Sequence, residues 1–411
     1  MSSYGNALTD STVFSLVELM LPYLSGTWMR QSRLRTRFIR PSSLQEGRHS
    51  LHLYLAPIRT VLTFVIRDSQ IHQRAITQLR FYPFDSLAFT SSSYDHTLKL
   101  CSSYTLEPSA SFDLGSPVYS HALSPIADHL LVACATQLPT VRLVDLKSGA
   151  STHSLAGHTG AVFTVAWSPN REHILASGGT DGAVRFWDIR RSAAALSCLD
   201  MEDSIGVNSF NTFRNSGRPR KAHSNAVNGI LWSDDGQHIV TAGHDERIRL
   251  WNMDTGANTL INFGPTVKNK HLSTAIPVLA PKNFMMPGRG VLFYPNERDI
   301  TVYSLFEGTL LKRLSPITEA TDPATMNPGT GSRFSRNRTT ALAWRAHSVE
   351  LYSAHSDGKI CAWMPRTNEY AIADAEEAEE QLGVTSSDKK RKRDVLDDVH
   401  DQMMGRNITF S

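Results

Sequence analysis

The chain is poor in cysteine, with four in 411 residues: Cys101, Cys134, Cys198 and Cys361, far apart and without a C-x-x-C pair. That excludes a disulfide framework and suits a reducing compartment. It also lacks an excess of charge of either sign. Lys and Arg number 42 against 39 Asp and Glu, a net +3, whereas an obligatory nucleic-acid ligand shows as a strongly basic domain. Long hydrophobic runs are missing as well. The most apolar amino-terminal stretch, residues 13–21, contains Glu18, has no basic flank before it and is too short to span a bilayer. Neither secretion nor membrane insertion is expected. No glycine-rich phosphate loop and no metal-ligand cluster stands out, and His49 and His52 have the spacing of a ligand pair without a third ligand nearby. Partners are to be sought in local patches.

What the chain does have is a repeat, and at 41% hydrophobic residues it has enough apolar material for a sizeable core. Asp181 stands six residues before Trp187, and the interval recurs at Asp245/Trp251, at Asp357/Trp363, and at Asp95 with Cys101 in the tryptophan's place. Each aspartate belongs to a larger unit. His158 is followed by Val162-Phe163-Thr164-Val165-Ala166-Trp167, a Ser-Pro-Asn turn, Ile174-Leu175-Ala176-Ser177-Gly178, then Asp181-Gly182 and Val184-Arg185-Phe186-Trp187. His223 opens the same order of segments through Trp232, Thr241, Asp245 and Trp251, and His72 opens it through Phe81 and Asp95. In all three the histidine lies nine residues before the aromatic that closes the first strand. Short apolar runs separated by turn residues read as antiparallel strands joined by hairpins. Degenerate units run from Val118 to Asp145 and from Gly290 to Tyr303, and a last one from Thr340 to Trp363, which makes six.

A period of about 40 to 45 residues with these signatures resembles the WD-repeat β-propeller family. The resemblance implies an all-β ring over residues 72–366. It also implies that His158, Ser177, Asp181 and Trp187, and likewise His223, Thr241, Asp245 and Trp251, form a hydrogen-bonded set pinning the strands of a blade. A Ser/His/Asp catalytic triad is the competing reading. A set that recurs once per blade is scaffold, whereas a nucleophile needs one activated site, and the chain is read as non-enzymatic.

The pattern fails at the ends. Residues 1–71 hold two candidate strands, Ser50-Leu51-His52-Leu53-Tyr54-Leu55 and Val61-Leu62-Thr63-Phe64-Val65-Ile66, and a crowd of arginines (Arg30, Arg33, Arg35, Arg37, Arg40) in a helix or arm, but no Asp-to-Trp element. Seven blades, the favoured count, require this region to supply an irregular first blade; otherwise the ring has six or the encoded amino terminus is incomplete. Residues 201–221, ending basic at Arg214, Arg218, Arg220 and Lys221, and residues 316–337 read as surface loops. Residues 367–411 turn acidic and then basic at Lys389-Lys390-Arg391-Lys392-Arg393. Such charge blocks make disordered tails, and the five cations are a nuclear-localisation candidate, which places the protein in the nucleus.

One repeat ends differently from its sisters, at Trp187-Asp188-Ile189-Arg190, where the next clear unit has Trp251-Asn252-Met253-Asp254. That box, with Phe81-Tyr82-Pro83, Val144-Asp145-Leu146-Lys147-Ser148-Gly149, residues 256–264 and Ile360-Cys361-Ala362-Trp363-Met364-Pro365, resembles the Cockayne syndrome group A family of excision-repair proteins, in a fungal-like form. The resemblance implies a substrate receptor of a cullin-RING ubiquitin ligase in transcription-coupled nucleotide excision repair. It implies docking on the damage-binding adaptor of the cullin-4-type ligase through Trp187, Asp188 and Arg190, and as further partners a Swi/Snf-type repair ATPase and stalled RNA polymerase II. The family's amino-terminal helical docking element has no clear counterpart in residues 1–71. Three other readings stay open: a nuclear WD-repeat scaffold or histone reader without a ligase link, a propeller hydrolase, and direct nucleic-acid binding by the Arg30 to Arg40 cluster or the Arg214 to Lys221 loop.

Overall fold

A computed structural model describes residues 55–58 and 71–365, apart from 127–128, 150, 192–194, 207–219, 272, 283–284, 286–287, 298, 316–337, 346–349 and 357–359. No α-helix occurs among the described residues. The strands, in chain order, begin with β1 (Leu55–Ile58) and then fall into six sheets. The first is β2 (Ile76–Tyr82), β3 (Asp85–Ser93), β4 (Thr97–Ser102) and β5 (Pro108–Asp113). The second is β6 (Val118–Leu123), β7 (Leu131–Thr136), β8 (Thr140–Asp145) and β9 (Ser151–Ala156), and the third β10 (Val162–Trp167), β11 (Ile174–Gly179), β12 (Val184–Asp188) and β13 (Ser197–Cys198). The fourth has three strands, β14 (Val227–Trp232), β15 (His238–Gly243) and β16 (Arg247–Asn252). The fifth is β17 (Val278–Leu279), β18 (Val291–Pro295), β19 (Ile300–Ser304) and β20 (Leu310–Leu314). The sixth is β21 (Thr339–Trp344), β22 (Leu351–His355) and β23 (Ile360–Pro365), with β1 next to β23 in the hydrogen-bonded order.

This is a six-bladed β-propeller. Each blade is an antiparallel meander, as the alternation of apolar runs and turns predicts, but no seventh sheet is present among the described residues. The irregular first blade expected from residues 1–71 falls largely outside them, and the one strand described there, β1, adds to the last sheet instead of founding its own. By backbone contacts the chain divides into a unit of residues 1–50 and 57–364 and a unit of residues 51–56 and 365–411. Everything below concerns the first.

Blades stack face to face, and that explains why middle strands such as β11 and β15 are buried on both sides rather than on alternate residues. Several core clusters draw on two successive sheets, whereas smaller ones lie within sheet one and within sheet six. Leu143 and Val141 of the second pack with Val165, Trp167, Leu175 and Trp187 of the third, and Phe186 and Val184 of the third with Val227, Ile239 and Trp251 of the fourth.

Sheet four lacks a regular outer strand. After β16 the chain turns back with Asn252 N–H on Ala257 O at 3.0 Å and Thr259 N–H on Leu250 O at 3.0 Å. Between them Asn258 turns aside to the loop entering the blade. Its N–H reaches Asp203 O at 2.8 Å and its side-chain amide reaches Met201 O at 3.0 Å.

The inner strands share one irregularity. In β2, β6, β10, β14 and β21 the register with the next strand skips a residue near the strand's start: Thr77, Tyr119, Phe163, Asn228 and Thr340. These are β-bulges at equivalent positions.

Candidate functional site

The meander order puts the turns after the first and third strands of every blade on one rim and the turns after the second and fourth on the other. Arg190, just past β12, belongs to the first rim. Asp181, between β11 and β12, belongs to the second.

Both expected four-residue sets form. His158 Nδ1 lies 3.0 Å from each Asp181 carboxylate oxygen, His158 Nε2 is 2.8 Å from Ser177 Oγ, and the Trp187 indole N–H donates to the same Oγ at 2.8 Å. An ionised aspartate only accepts, so Nδ1 of His158 carries the proton. Its Nε2 then accepts from Ser177, whose hydroxyl is left to accept from the indole. The set in sheet four repeats this with His223 Nδ1 to Asp245 at 2.9 Å, His223 Nε2 to Thr241 Oγ1 at 2.8 Å and Trp251 N–H to Thr241 Oγ1 at 2.9 Å. Burial alone would raise the Asp181 carboxyl, but the bonds from His158 and from the Thr159 and Ala183 N–H groups hold it down at about 2. Burial lowers the His223 imidazole, against the pull of Asp245.

Sheet one has a third set that the tryptophan-based reading undervalued. His72 bridges Asp95 at 2.8 Å and Ser91 at 2.9 Å, although Cys101 replaces the tryptophan. Sheet six keeps Trp363 N–H on Ser353 Oγ at 2.8 Å, but the histidine on that hydroxyl is His355, two residues further along the same strand, at 2.9 Å. Asp357 lies outside the described residues, as do Arg30 to Arg40, Arg214, Arg218 and Lys389 to Arg393.

The sets also require glycine in a place that sequence spacing gives no reason for. A Cβ at Gly243 would stand 2.5 Å from His223 Nδ1 and 2.9 Å from Asp245 Oδ1, and one at Gly179 would stand 2.8 Å from His158 Nδ1 and 3.0 Å from Asp181 Oδ1. The histidine–carboxylate pair occupies the space of the missing side chain. Gly243→Ala is expected to lower unfolding free energy by about 2 to 3 kcal/mol, the scale of an overpacked core position, read as a drop in the urea midpoint; an unchanged midpoint contradicts the packing argument.

At the other rim Asp188 is buried, with 5% of its side chain exposed, whereas 64% of the Arg190 side chain is exposed. Arg190 closes a fork on it: Nε to Oδ1 at 3.0 Å, Nη2 to Oδ2 at 2.9 Å, and the Arg190 backbone N–H to Oδ1 at 3.0 Å. These bonds, the side-chain ones first, hold the Asp188 carboxyl below the usual carboxylate range. The predicted residues are thus brought together, with a distinction between them. Trp187 is interior scaffold at 1% exposure, Asp188 is the buried acceptor, and Arg190 is exposed with its guanidinium held on that carboxylate. Asn252, at the matching place in sheet four, has no such arginine and caps its own turn through Asp254 N–H at 2.8 Å.

The turns of this rim also expose large apolar side chains, Phe84 (56%), Tyr104 (80%) and Ile126 (43%). His129 lies tilted against Trp167 at 4.9 Å and stacks on His173 at 6.1 Å. Among the described residues no group of three His, Cys, Asp or Glu side chains is placed to hold a metal ion.

The fold is a β-propeller whose blades carry recurring hydrogen-bonded sets, and the WD domain, G-beta repeat family matches residues 149–188 and 216–252. Among individual proteins, the chain is 27% identical over 373 residues to WD repeat-containing protein ATCSA-1 of Arabidopsis thaliana, covering 76% of each. It is 26% identical over 197 residues to Radiation-sensitive protein 28 of Saccharomyces cerevisiae, covering 44% of this chain and 38% of the relative. With ribosome biogenesis protein YTM1 of Phaeosphaeria nodorum it shares 29% identity over 184 residues, again 44% of this chain and 38% of the relative.

Proposed function

We propose that the protein is a non-catalytic substrate receptor of a cullin-RING ubiquitin ligase, docking on the damage-binding adaptor and acting in transcription-coupled nucleotide excision repair in the nucleus. The observation that carries the docking is the Asp188–Arg190 fork. A buried carboxylate aligns an exposed guanidinium on one rim, and a pre-aligned arginine loses little freedom when it meets a partner. The exposed Phe84, Tyr104 and Ile126 on the same rim supply apolar surface of the kind that interfaces use. The repair context draws on the similarity to ATCSA-1 along most of the chain and to a relative named for radiation sensitivity. A Swi/Snf-type repair ATPase and stalled RNA polymerase II are proposed as further partners on the same ground. The non-catalytic reading is supported by the fate of the serine: Ser177 is fully buried and its oxygen accepts from Trp187, which is no place for a nucleophile.

Binding to the purified adaptor tests this. Asp188→Ala combined with Arg190→Ala is expected to weaken it about tenfold or more, as truncation of an interface anchor does, with the thermal midpoint little changed. Binding at wild-type strength by the double variant sinks the docking assignment and leaves a nuclear WD-repeat scaffold as the better reading.

A further inference from the structure

The five bulges lie on the rim opposite Arg190, at the inner edge of the blades. A bulge takes one residue out of the ladder and re-aims its side chain. On one side of this mouth the re-aimed residues are aromatic and touch: the rings of Tyr119 and Phe163 are 5.1 Å apart and nearly perpendicular. Turn residues extend the arc at either end. Tyr94 lies 5.9 Å from Tyr119, and His244 lies 6.2 Å from Phe163. Tyr94, Tyr119 and His244 are half-buried, so the arc is open to solvent in part.

On the other side the re-aimed residues are polar. Asn228 exchanges two amide hydrogen bonds with Asn269, at 2.9 and 2.8 Å, which ties down the segment that follows. Thr340 lines a shallow, open cleft with Lys268, Lys270, His271 and Arg338. The two sides adjoin at Asn269, which lines the cleft and whose amide donates to Asn228 Oδ1 at 2.8 Å and to the carbonyl of Gly243, the residue before His244, at 2.9 Å. Lys268 and Lys270 approach Glu246 at 3.5 and 3.6 Å, yet they are 49% and 71% exposed. Exposed pairs of this kind hold weakly, so an incoming carboxylate can replace Glu246.

We propose that this mouth binds an extended acidic segment of a partner protein that carries an aromatic side chain. The aromatic ring sits against Tyr94 and Tyr119, where edge-to-face contact is available, and the carboxylates lie along Lys268, Lys270 and Arg338. A protein segment is favoured over single-stranded nucleic acid because Glu246 and Glu297 stand in or beside the same cleft, and a phosphodiester chain requires an unbroken basic track. The proposal deepens the receptor reading by giving the chemistry of what is presented to the ligase, and it rests on that reading only for where the segment comes from.

The test uses the full chain and fluorescence anisotropy with a labelled peptide of eight glutamates around one tryptophan. Comparison probes replace the tryptophan by alanine or the glutamates by lysine, and a fourth is a thymidine oligonucleotide. Saturable binding is expected for the first peptide, weakened about tenfold by either peptide change and by Tyr119→Ala or Lys270→Glu, and kept by Tyr119→Phe. Tyr94→Ala replaces Tyr119→Ala if that variant does not fold. Absent binding, binding indifferent to both the tryptophan and the charge, or tighter and steeply salt-dependent binding of the oligonucleotide overturns the proposal. Adaptor binding is measured on the same samples. Peptide binding without adaptor binding leaves this inference standing and removes the docking assignment, and the converse removes this inference alone.

Discussion

Replacing Trp187 by alanine is expected to cost about 3 to 5 kcal/mol of stability, the range for a fully buried aromatic, and to leave the propeller partly unfolded at 37 °C. Three effects add. The indole is 1% exposed and packs with Leu143, Val165 and Leu175, joining sheets two and three. Its far edge fits tightly enough that a Cβ on Gly157 would stand 2.9 Å from it. Its N–H also holds Ser177 in the hydrogen-bonded chain to His158 and Asp181. Net stability of a folded domain is about 5 to 15 kcal/mol, so one such loss consumes a large part of it. Trp187→Phe separates the effects: it keeps most of the apolar area and loses the donor, and about 1 to 2 kcal/mol is expected. Urea unfolding followed by circular dichroism checks both. An alanine variant within 1 kcal/mol of wild type, on the scale of an ordinary surface change, defeats the argument. The first blade shows what its absence permits, because Cys101 fills the tryptophan's place against Leu79 and Phe89 while His72, Ser91 and Asp95 keep their bonds.

The Asp-to-Trp interval was legible because it is local: a hairpin of fixed length puts Asp181 and Trp187 at constant separation, and the same holds for His158 and Trp167. The Arg190 box was legible as a departure from Asn252 in its sister. What escaped the sequence is set by contacts between blades or by single-residue slips. The bulge at Tyr119 or Phe163 breaks no apolar pattern, since Val118 and Val162 before it and Ser120 and Thr164 after it are all buried. Gly243 reads as a strand end until His223 and Asp245 are placed beside it. The outer strand of the last blade comes from residues 55–58, far from β23 in the chain, so a blade count by repeats could not place it. His121 sits in a strand like many others, and nothing in its own blade says what it touches.

Acidification is expected to destabilise the protein between pH 6.5 and about 3, with His121 as one cause. Its side chain, on β6, is fully buried and crosses to the preceding sheet, with Nε2 at 2.8 Å from Thr90 Oγ1 and Nδ1 at 2.9 Å from Ser92 Oγ. Its backbone N–H donates to Gln78 Oε1 at 3.0 Å. Burial first, then the nearby Arg80 and His72 charges, push its pKa down to about 3, against the hydrogen bond to the Thr90 backbone. An exposed histidine in the unfolded chain titrates near 6.5. Above that value neither state binds the proton, and the His121 bonds act in full. As pH falls from 6.5 the unfolded chain takes up a proton that the folded protein refuses, so stability drops by up to about 1.4 kcal/mol per pH unit until the folded group also titrates. The whole window is worth on the order of 3 to 5 kcal/mol, and the lowered pKa values of His72 and His223 act in the same direction. Asp181, held at about 2, adds its own loss only below pH 3.8. His121→Gln isolates the share of this histidine. At pH 7.5 the variant is expected to be less stable than wild type by about 1 to 3 kcal/mol, since Thr90 and Ser92 lose a well-placed partner. At pH 4 the gap should close or reverse, because glutamine does not titrate. A gap that stays constant from pH 7.5 to pH 4 means that His121 takes up its proton in the folded protein as readily as in the unfolded chain, and the cross-blade bonds to Thr90 and Ser92 then do not hold it neutral.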